Sequence, residues 1–347
     1  MAATTASILF ATNRKLAGEV GGIATFDDNV QDMTPQALCC GSAEVSDIDI
    51  SSPDHGTIDK MSKLTTGGFD DGAIAALAQS TNDVLVFVHG ASNSFEDAIT
   101  RGAYNKLWLA SAKLPNCNFD VVAFTWPART YTYWDVFSDV DDYRHDQQQA
   151  TASAYHFGLF LKQVDRIRAA IGPARKLNLL CHSMGNYMLG AAVEAWSRAN
   201  PAQSIFDTAI LAAADEIATT FTTPDNGRLC TLKALAKEIT VYFNYDDVLM
   251  QLSHIANCDY RLGYDGPPNK ADQKVFAPDV YSIVDCTGVD DYISSIFDQP
   301  DRSHQYYRQS PTVRFDIAQT LTGQTPRRPR YDAKANVYAL FAQPQSV

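Results

Sequence analysis

Leu177-Asn-Leu-Leu-Cys181-His182-Ser183-Met184-Gly185-Asn186 is the stretch on which the reading of this chain turns. An apolar run ends at Cys181, and a helical spacing of Met184, Met188, Ala192 and Trp196 begins at once. A serine at such a strand-to-helix corner is lifted above the sheet edge, with its hydroxyl in the crevice there. The tight turn demands small residues two before and two after the serine, usually glycine at both. Gly185 meets that demand, and Cys181 stands where the first glycine is usual. Cysteine is small enough to fit. The same residues also suit a plain helix N-cap, a role serine often fills. The surrounding chain must therefore decide.

Short apolar runs rich in β-branched residues flank this stretch on both sides. They fall at Ser7–Thr12, Val45–Ile50, Val84–Val88, Val121–Thr125, Thr208–Ala212, Ile239–Phe243 and Val280–Val284. Several are nearly continuous in apolar residues, as strands buried on both faces are. Helical spacings lie between them, as at Phe95, Ile99, Ala103 and Leu107, and over roughly Gln147 to Ala170. This alternation predicts an α/β fold, a mostly parallel central sheet of about eight strands flanked by helices. A single domain is expected over 1–347, with its core at about 84–323 and an N-terminal extension at 1–83. The segment 128–149, rich in Tyr, Trp and Asp, reads as an insertion or lid over the site. The tail after Gly323, with Thr325-Pro-Arg-Arg-Pro-Arg330, reads as a surface extension.

Composition narrows the function classes. The chain has 347 residues, 46% of them hydrophobic, and a net charge of -12. That charge argues against a nucleic-acid partner, which needs a basic face. Seven scattered cysteines without a CxxC pair suggest neither a disulfide framework nor a zinc knuckle, and suit a reducing compartment. The only apolar run near the start, Ile8 to Ala11, has no basic residue before it and does not read as an export signal. No run approaches the ~20 apolar residues of a membrane span. A cytoplasmic location is the expectation. The seven histidines show no HxxxH or HxH spacing, so neither a metal nor another cofactor is expected.

A second turn supports Ser183. Asp83-Val-Leu-Val-Phe-Val-His89-Gly90-Ala91-Ser92-Asn93-Ser94-Phe95 is an apolar strand entering a small-residue turn and then a helix. In this architecture such a turn supplies one oxyanion-hole N–H, and the residue after the nucleophile supplies the other. Those roles fall to Ala91 or Ser92, and to Met184. His89 is expected to support the turn rather than act as a base.

The usual chain order is serine, acid, histidine. Only His254 and His304 follow Ser183. His254 follows its strand too closely, whereas His304 lies beyond the last strand candidate in a polar stretch. For the acid, Asp246 and Asp247 sit just past Ile239–Phe243, and Asp215 sits past the preceding strand. Any of the three could orient an imidazole.

These residues together resemble a mainly bacterial branch of the α/β-hydrolase superfamily catalogued as a domain of unknown function. The matching pieces are Phe87-Val-His89-Gly90 through Ser94-Phe95, Phe124-Thr-Trp126-Pro127 and His182-Ser183-Met184-Gly185-Asn186. They continue through Ala213-Ala-Asp215, Tyr242 to Asp247, and Arg261-Leu-Gly263 to Gly266-Pro267. The resemblance implies an α/β-hydrolase fold and a triad of Ser183, Asp247 and His304. Asp246 and Asp215 are the alternative acids, and Asp215 could instead hold the loop beside the nucleophile. The implied activity is that of a serine hydrolase, a carboxylic ester hydrolase with a small-molecule ester substrate. An amidase, peptidase or thioesterase on the same triad, or a non-catalytic binding scaffold, are the rival readings. The oligomeric state stays open. Trp126, Tyr133 and Trp134, with Tyr131 and Phe137, would line a substrate pocket or simply pack the lid.

Overall fold

The computed structural model describes residues 4–51, 56–130, 140–199, 204–222, 227–292, 303–326 and 328–342. The first strands are β1 (Ala6–Thr12), β2 (Arg14–Val20), β3 (Ile23–Val30), β4 (Cys39–Ser46), β5 (Thr57–Met61) and β6 (Thr65–Thr66). Then come β7 (Asp83–Val88), β8 (Phe119–Thr125), β9 (Leu177–His182), β10 (Phe206–Ala212), β11 (Ala236–Phe243) and β12 (Tyr281–Asp285). Two short strands, β13 (Arg330–Asp332) and β14 (Val337–Ala339), close the series. The helices are α1 (Asp71–Gln79), α2 (Phe95–Ala110), α3 (Val140–Ile171), α4 (Gly185–Ala199) and α5 (Leu232–Leu235). They continue with α6 (Val248–Asn257), α7 (Leu262–Asp265), α8 (Tyr306–Gln309) and α9 (Pro311–Thr322).

Among the described residues twelve strands form one sheet, in the order β13-β14-β12-β11-β10-β9-β7-β8-β1-β4-β5, with β6 beside β4. From β12 to β1 all neighbours are parallel. Two-sided burial explains their continuous apolar runs. In β7, Val84, Val86 and Val88 face one core, while Leu85 and Phe87 face the other. One core is packed by α3 and α4, the other by α2 and α9. Beyond β7 the chain runs to β8 on one side, then returns to β9 on the other. The strand order thus reverses between β7 and β9, and a crevice opens at their C-terminal ends. Ser183 and Gly90 both sit there, each just past its strand.

The sheet exceeds the eight strands expected because its margins carry little hydrophobic signal. β5 reads Thr-Ile-Asp-Lys-Met and is mostly exposed, as is β13. The strand expected at Val45–Ile50 instead spans Cys39–Ser46, where it pairs antiparallel with β1. Asp47 takes φ 55 and ends the extended run. Within the N-terminal extension, β1 lies between β8 and β4 inside the sheet. The tail at the surface is tied to the domain at two points. Arg328 is drawn in by a buried pair with Asp316 at 2.9 Å, and β14 adds to β12 in parallel. No helix of the described residues is long and apolar enough to cross a membrane.

Candidate active site

Ser183 adopts φ 53, the left-handed conformation that side-chain-bearing residues avoid. Its N–H donates to the Ala212 carbonyl at 3.0 Å, and its own carbonyl accepts from Asn186 N and Asp215 N at 3.0 and 3.1 Å. The Asn186 side chain closes the turn by donating to the carbonyls of Cys181 and Ser183, both at 3.1 Å. Gly185 is required because a Cβ there would lie 2.6 Å from the His89 carbonyl oxygen. The same vacancy accommodates Cys181. That imagined Cβ would be 3.3 Å from Cys181 Sγ, so the missing side chain at 185 leaves room for the one at 181. Burial pushes the Cys181 thiol well above its usual range, consistent with a packing role.

The turn after β7 abuts the serine. A Cβ on Gly90 would fall 2.6 Å from Ser183 Cβ and 3.2 Å from its Oγ. His89 governs the orientation of this turn. Trp126 N–H donates to His89 Nε2 at 3.0 Å, so Nε2 is the acceptor and the proton resides on Nδ1. Nδ1 then donates to the Gly90 carbonyl at 2.7 Å. Burial first, and the nearby Arg14 cation second, hold His89 well below its ordinary value and hence neutral. The Gly90 carbonyl also accepts from Asn93 Nδ2 at 3.2 Å. In a planar trans peptide the carbonyl and the following N–H point in opposite directions. The Ala91 N–H is therefore turned away from His89 and Asn93. The Ser92 N–H is committed elsewhere, to Asp146 Oδ2 at 3.1 Å. Among the described residues, the N–H groups of Ala91 and Met184 donate to nothing.

Of the two later histidines, His304 is brought beside His182, the neighbour of Ser183. His304 Nδ1 donates to Asp247 Oδ2 at 2.7 Å, with both side chains buried. Asp247 is also the N-cap of α6, and its Oδ1 accepts from Met250 N at 3.0 Å. Both carboxylate oxygens are thus engaged, which fixes their plane. Burial raises the Asp247 carboxyl, while His304 and the N–H groups of Met250 and Leu249 oppose the rise. His182, adjacent to Ser183, ties the histidine loop to the corner. Its Nε2 lies 3.2 Å from the His304 carbonyl, and its ring sits 4.7 Å from that of His304. Since a carbonyl can only accept, His182 Nε2 carries the proton, and burial keeps the ring neutral.

The remaining candidates sit elsewhere. Asp246 is exposed. Asp215 is buried in its own network, pairing with Arg261 Nε at 2.8 Å and accepting from Tyr143 OH at 3.0 Å and from Ser253 Oγ. It thus braces α3 and α6 beneath the corner and makes no hydrogen bond to His304. His254 stacks on Tyr260 within 4.8 Å. Trp126 has no exposed surface. Its ring stacks on His89 at 5.2 Å and its Nε1 donates to the His89 carbonyl, so it props the turn and is not an open pocket wall. Tyr131, Tyr133, Trp134 and Phe137 lie outside the described residues. Sequence reasoning assigned no role to His182 or Asn186. Their presence in the His182-to-Asn186 motif was the available signal, but only the hydrogen bonds give it meaning.

A family model described as "Alpha/beta hydrolase of unknown function (DUF900)" matches residues 72–324, and the chain belongs to that family. No curated protein matches it. Among solved structures, it is similar to phospholipase PlaB from Legionella pneumophila in complex with thio-NAD, at 16% identity and a TM-score of 0.24. That match covers 59% of this chain, which spans only 38% of the phospholipase. An inhibited esterase B from Lactobacillus rhamnosis is similar at 10% identity and a TM-score of 0.32, covering 86% of this chain and 85% of that one.

Proposed function

We propose that this member of the α/β-hydrolase family is a serine hydrolase that cleaves carboxylic esters through an acyl-enzyme on Ser183. The observation that carries the reading is the backbone of Ser183. A serine at φ 53, between a buried strand and a helix, holds a backbone conformation that costs any residue with a side chain. Exposing a nucleophile at a crevice explains that strain, whereas an N-cap needs only extended backbone.

The chemistry follows from the neighbours. The Asp247 carboxylate holds the proton on His304 Nδ1, which leaves Nε2 as the base. Nε2 takes the proton of Ser183 Oγ as that oxygen bonds to the ester carbonyl carbon. The carbonyl oxygen becomes an oxyanion and is received by the N–H groups of Met184 and Ala91. One such donor stabilises the tetrahedral intermediate by about 2.7–4 kcal/mol. Collapse breaks the bond to the alkoxy oxygen, which leaves with the proton from His304. Water then attacks the acyl-enzyme, giving its proton to the same nitrogen, and Ser183 recovers its own proton as the acid departs.

The direct test is a panel of p-nitrophenyl esters of increasing acyl length, beside matched thioesters and anilides, with fluorophosphonate labelling read by mass. Turnover fastest on esters and a single adduct on Ser183 are expected. No adduct and no turnover on any class would sink the reading, and a preference for thioesters or anilides would reassign the bond.

Gly90→Ala supplies an independent check. Its methyl would fall inside the contact distance of Ser183, so the turn or the serine must shift. A displacement near 1 Å suffices to lower kcat/KM by about 100-fold. The melting temperature should fall far less in proportion than activity.

A further inference from the structure

Arg14 begins β2, in a segment that precedes the family match, yet its side chain is among the most deeply buried in the molecule. Its guanidinium reaches three separate elements. Nη2 donates to the Asn93 carbonyl at 2.6 Å, Nε to Thr125 Oγ1 at 3.0 Å, and Nη1 to Asp28 Oδ1 at 3.1 Å. Asn93 is the residue that organises the turn after β7. Its Nδ2 donates to the Ala91 carbonyl at 2.6 Å as well as to that of Gly90, and its Oδ1 accepts from Arg101. Those two carbonyls belong to the peptides on either side of Ala91. Across the turn, Asp146 accepts from the N–H of Ser92, which is itself held at φ 52. Arg14 and Asp146 thus grip a strained turn from two sides.

Charge matters as well as reach. Burial lowers Arg14 to about 10, so it remains cationic near neutral pH. That cation helps keep His89 neutral, and only the neutral ring can accept from Trp126 while donating to Gly90. We infer that Arg14 is a positioning residue for the oxyanion turn, which makes the β2–β3 hairpin a working part of the active site. The inference rests on the proposed use of the Ala91 N–H in ester hydrolysis.

The experiment compares Arg14→Met, Arg14→Lys and Asp28→Asn in the full chain, with Asp27→Asn on the same hairpin as a control. It reads kcat and KM separately on a p-nitrophenyl ester, together with inhibition by a trifluoromethyl ketone, which forms a tetrahedral adduct with serine. Arg14→Met is expected to lower kcat by about 100-fold, the scale of one lost oxyanion donor, with KM within about threefold. Ketone affinity should fall in parallel with kcat. Arg14→Lys keeps the charge without the planar fork and should fall between the two. Asp28→Asn should lower kcat severalfold in the same direction, and it decides the matter if Arg14→Met does not fold, because the Asp28 side chain is 42% exposed and Arg14 itself stays in place. Asp27→Asn should match the wild type. Unchanged kcat and ketone affinity in folded Arg14→Met or Asp28→Asn would overturn the inference while leaving the hydrolase reading intact. A wild-type chain that neither turns over esters nor takes up fluorophosphonate would remove both.

Discussion

Ser183→Ala is expected to lower ester turnover by about 10⁴-fold or more and to abolish the fluorophosphonate adduct, with no loss of melting temperature. The size follows from removing the group that forms the covalent bond, since what remains is binding and oxyanion stabilisation alone. The unchanged stability follows from the backbone. At φ 53 both serine and alanine carry the same left-handed penalty, roughly 1–2 kcal/mol. Ser183→Gly sharpens the test, because glycine adopts that conformation freely. Its gain is offset in part by the greater freedom glycine has when unfolded, about 0.4–1 kcal/mol. The glycine variant should therefore be inactive yet at least as stable as the wild type. Parallel kinetics and thermal melts of the two variants read this directly. Loss of stability in both with activity retained would mean that Ser183 is a structural cap.

Asp247→Asn should lower kcat by about 10⁴-fold, because an amide facing His304 favours the wrong imidazole tautomer. Asp246→Asn, at an exposed position, should leave kcat unchanged. Asp215→Asn should act chiefly on stability. It would leave the Arg261 guanidinium buried without its counter-charge, at a cost of about 3–5 kcal/mol. These three variants separate the acid from its neighbours when kcat and melting temperature are measured on each.

Asp247 also sets a pH dependence of stability. Burial raises its folded value above the ordinary 3.8, so the native chain holds this proton more tightly than the unfolded chain. Its favourable contribution is complete below 3.8 and is lost as pH rises through the raised value. The asparagine variant lacks that loss. Against this, it can accept from Met250 N and still face His304 only if the imidazole takes the other tautomer. Melting curves should therefore favour the wild type most at low pH, and that advantage should shrink as pH rises through the window. An advantage that grows with pH would contradict the assignment of cause.

The central strands were legible because they are buried on both faces. Each of β7 to β12 had to be written in apolar, β-branched residues, and each was located from that run within a few positions. The corner at Ser183 was legible for a related reason, since a strand period gives way to a helix period there with Gly185 just beyond it. The margins were not. The strands β2, β5 and β13 are largely exposed, and β3 and β14 are short of fully buried positions, so little in their pattern demands pairing. Arg328 looked like solvated tail because its partner Asp316 is 12 residues away in the chain and on a helix.

Sequence by itself determined the architecture, the residue at the corner, and the order of turn, acid and histidine along the chain. Those are properties of local pattern, in which burial dictates composition. Tertiary structure alone decided which acid meets His304, which N–H groups of the turn remain uncommitted, and that Arg14 lies beneath it. These are contacts across 57 residues from Asp247 to His304 and 79 from Arg14 to Asn93. No local preference encodes them, because a carboxylate or guanidinium finds its partner only after the sheet has closed and water has left.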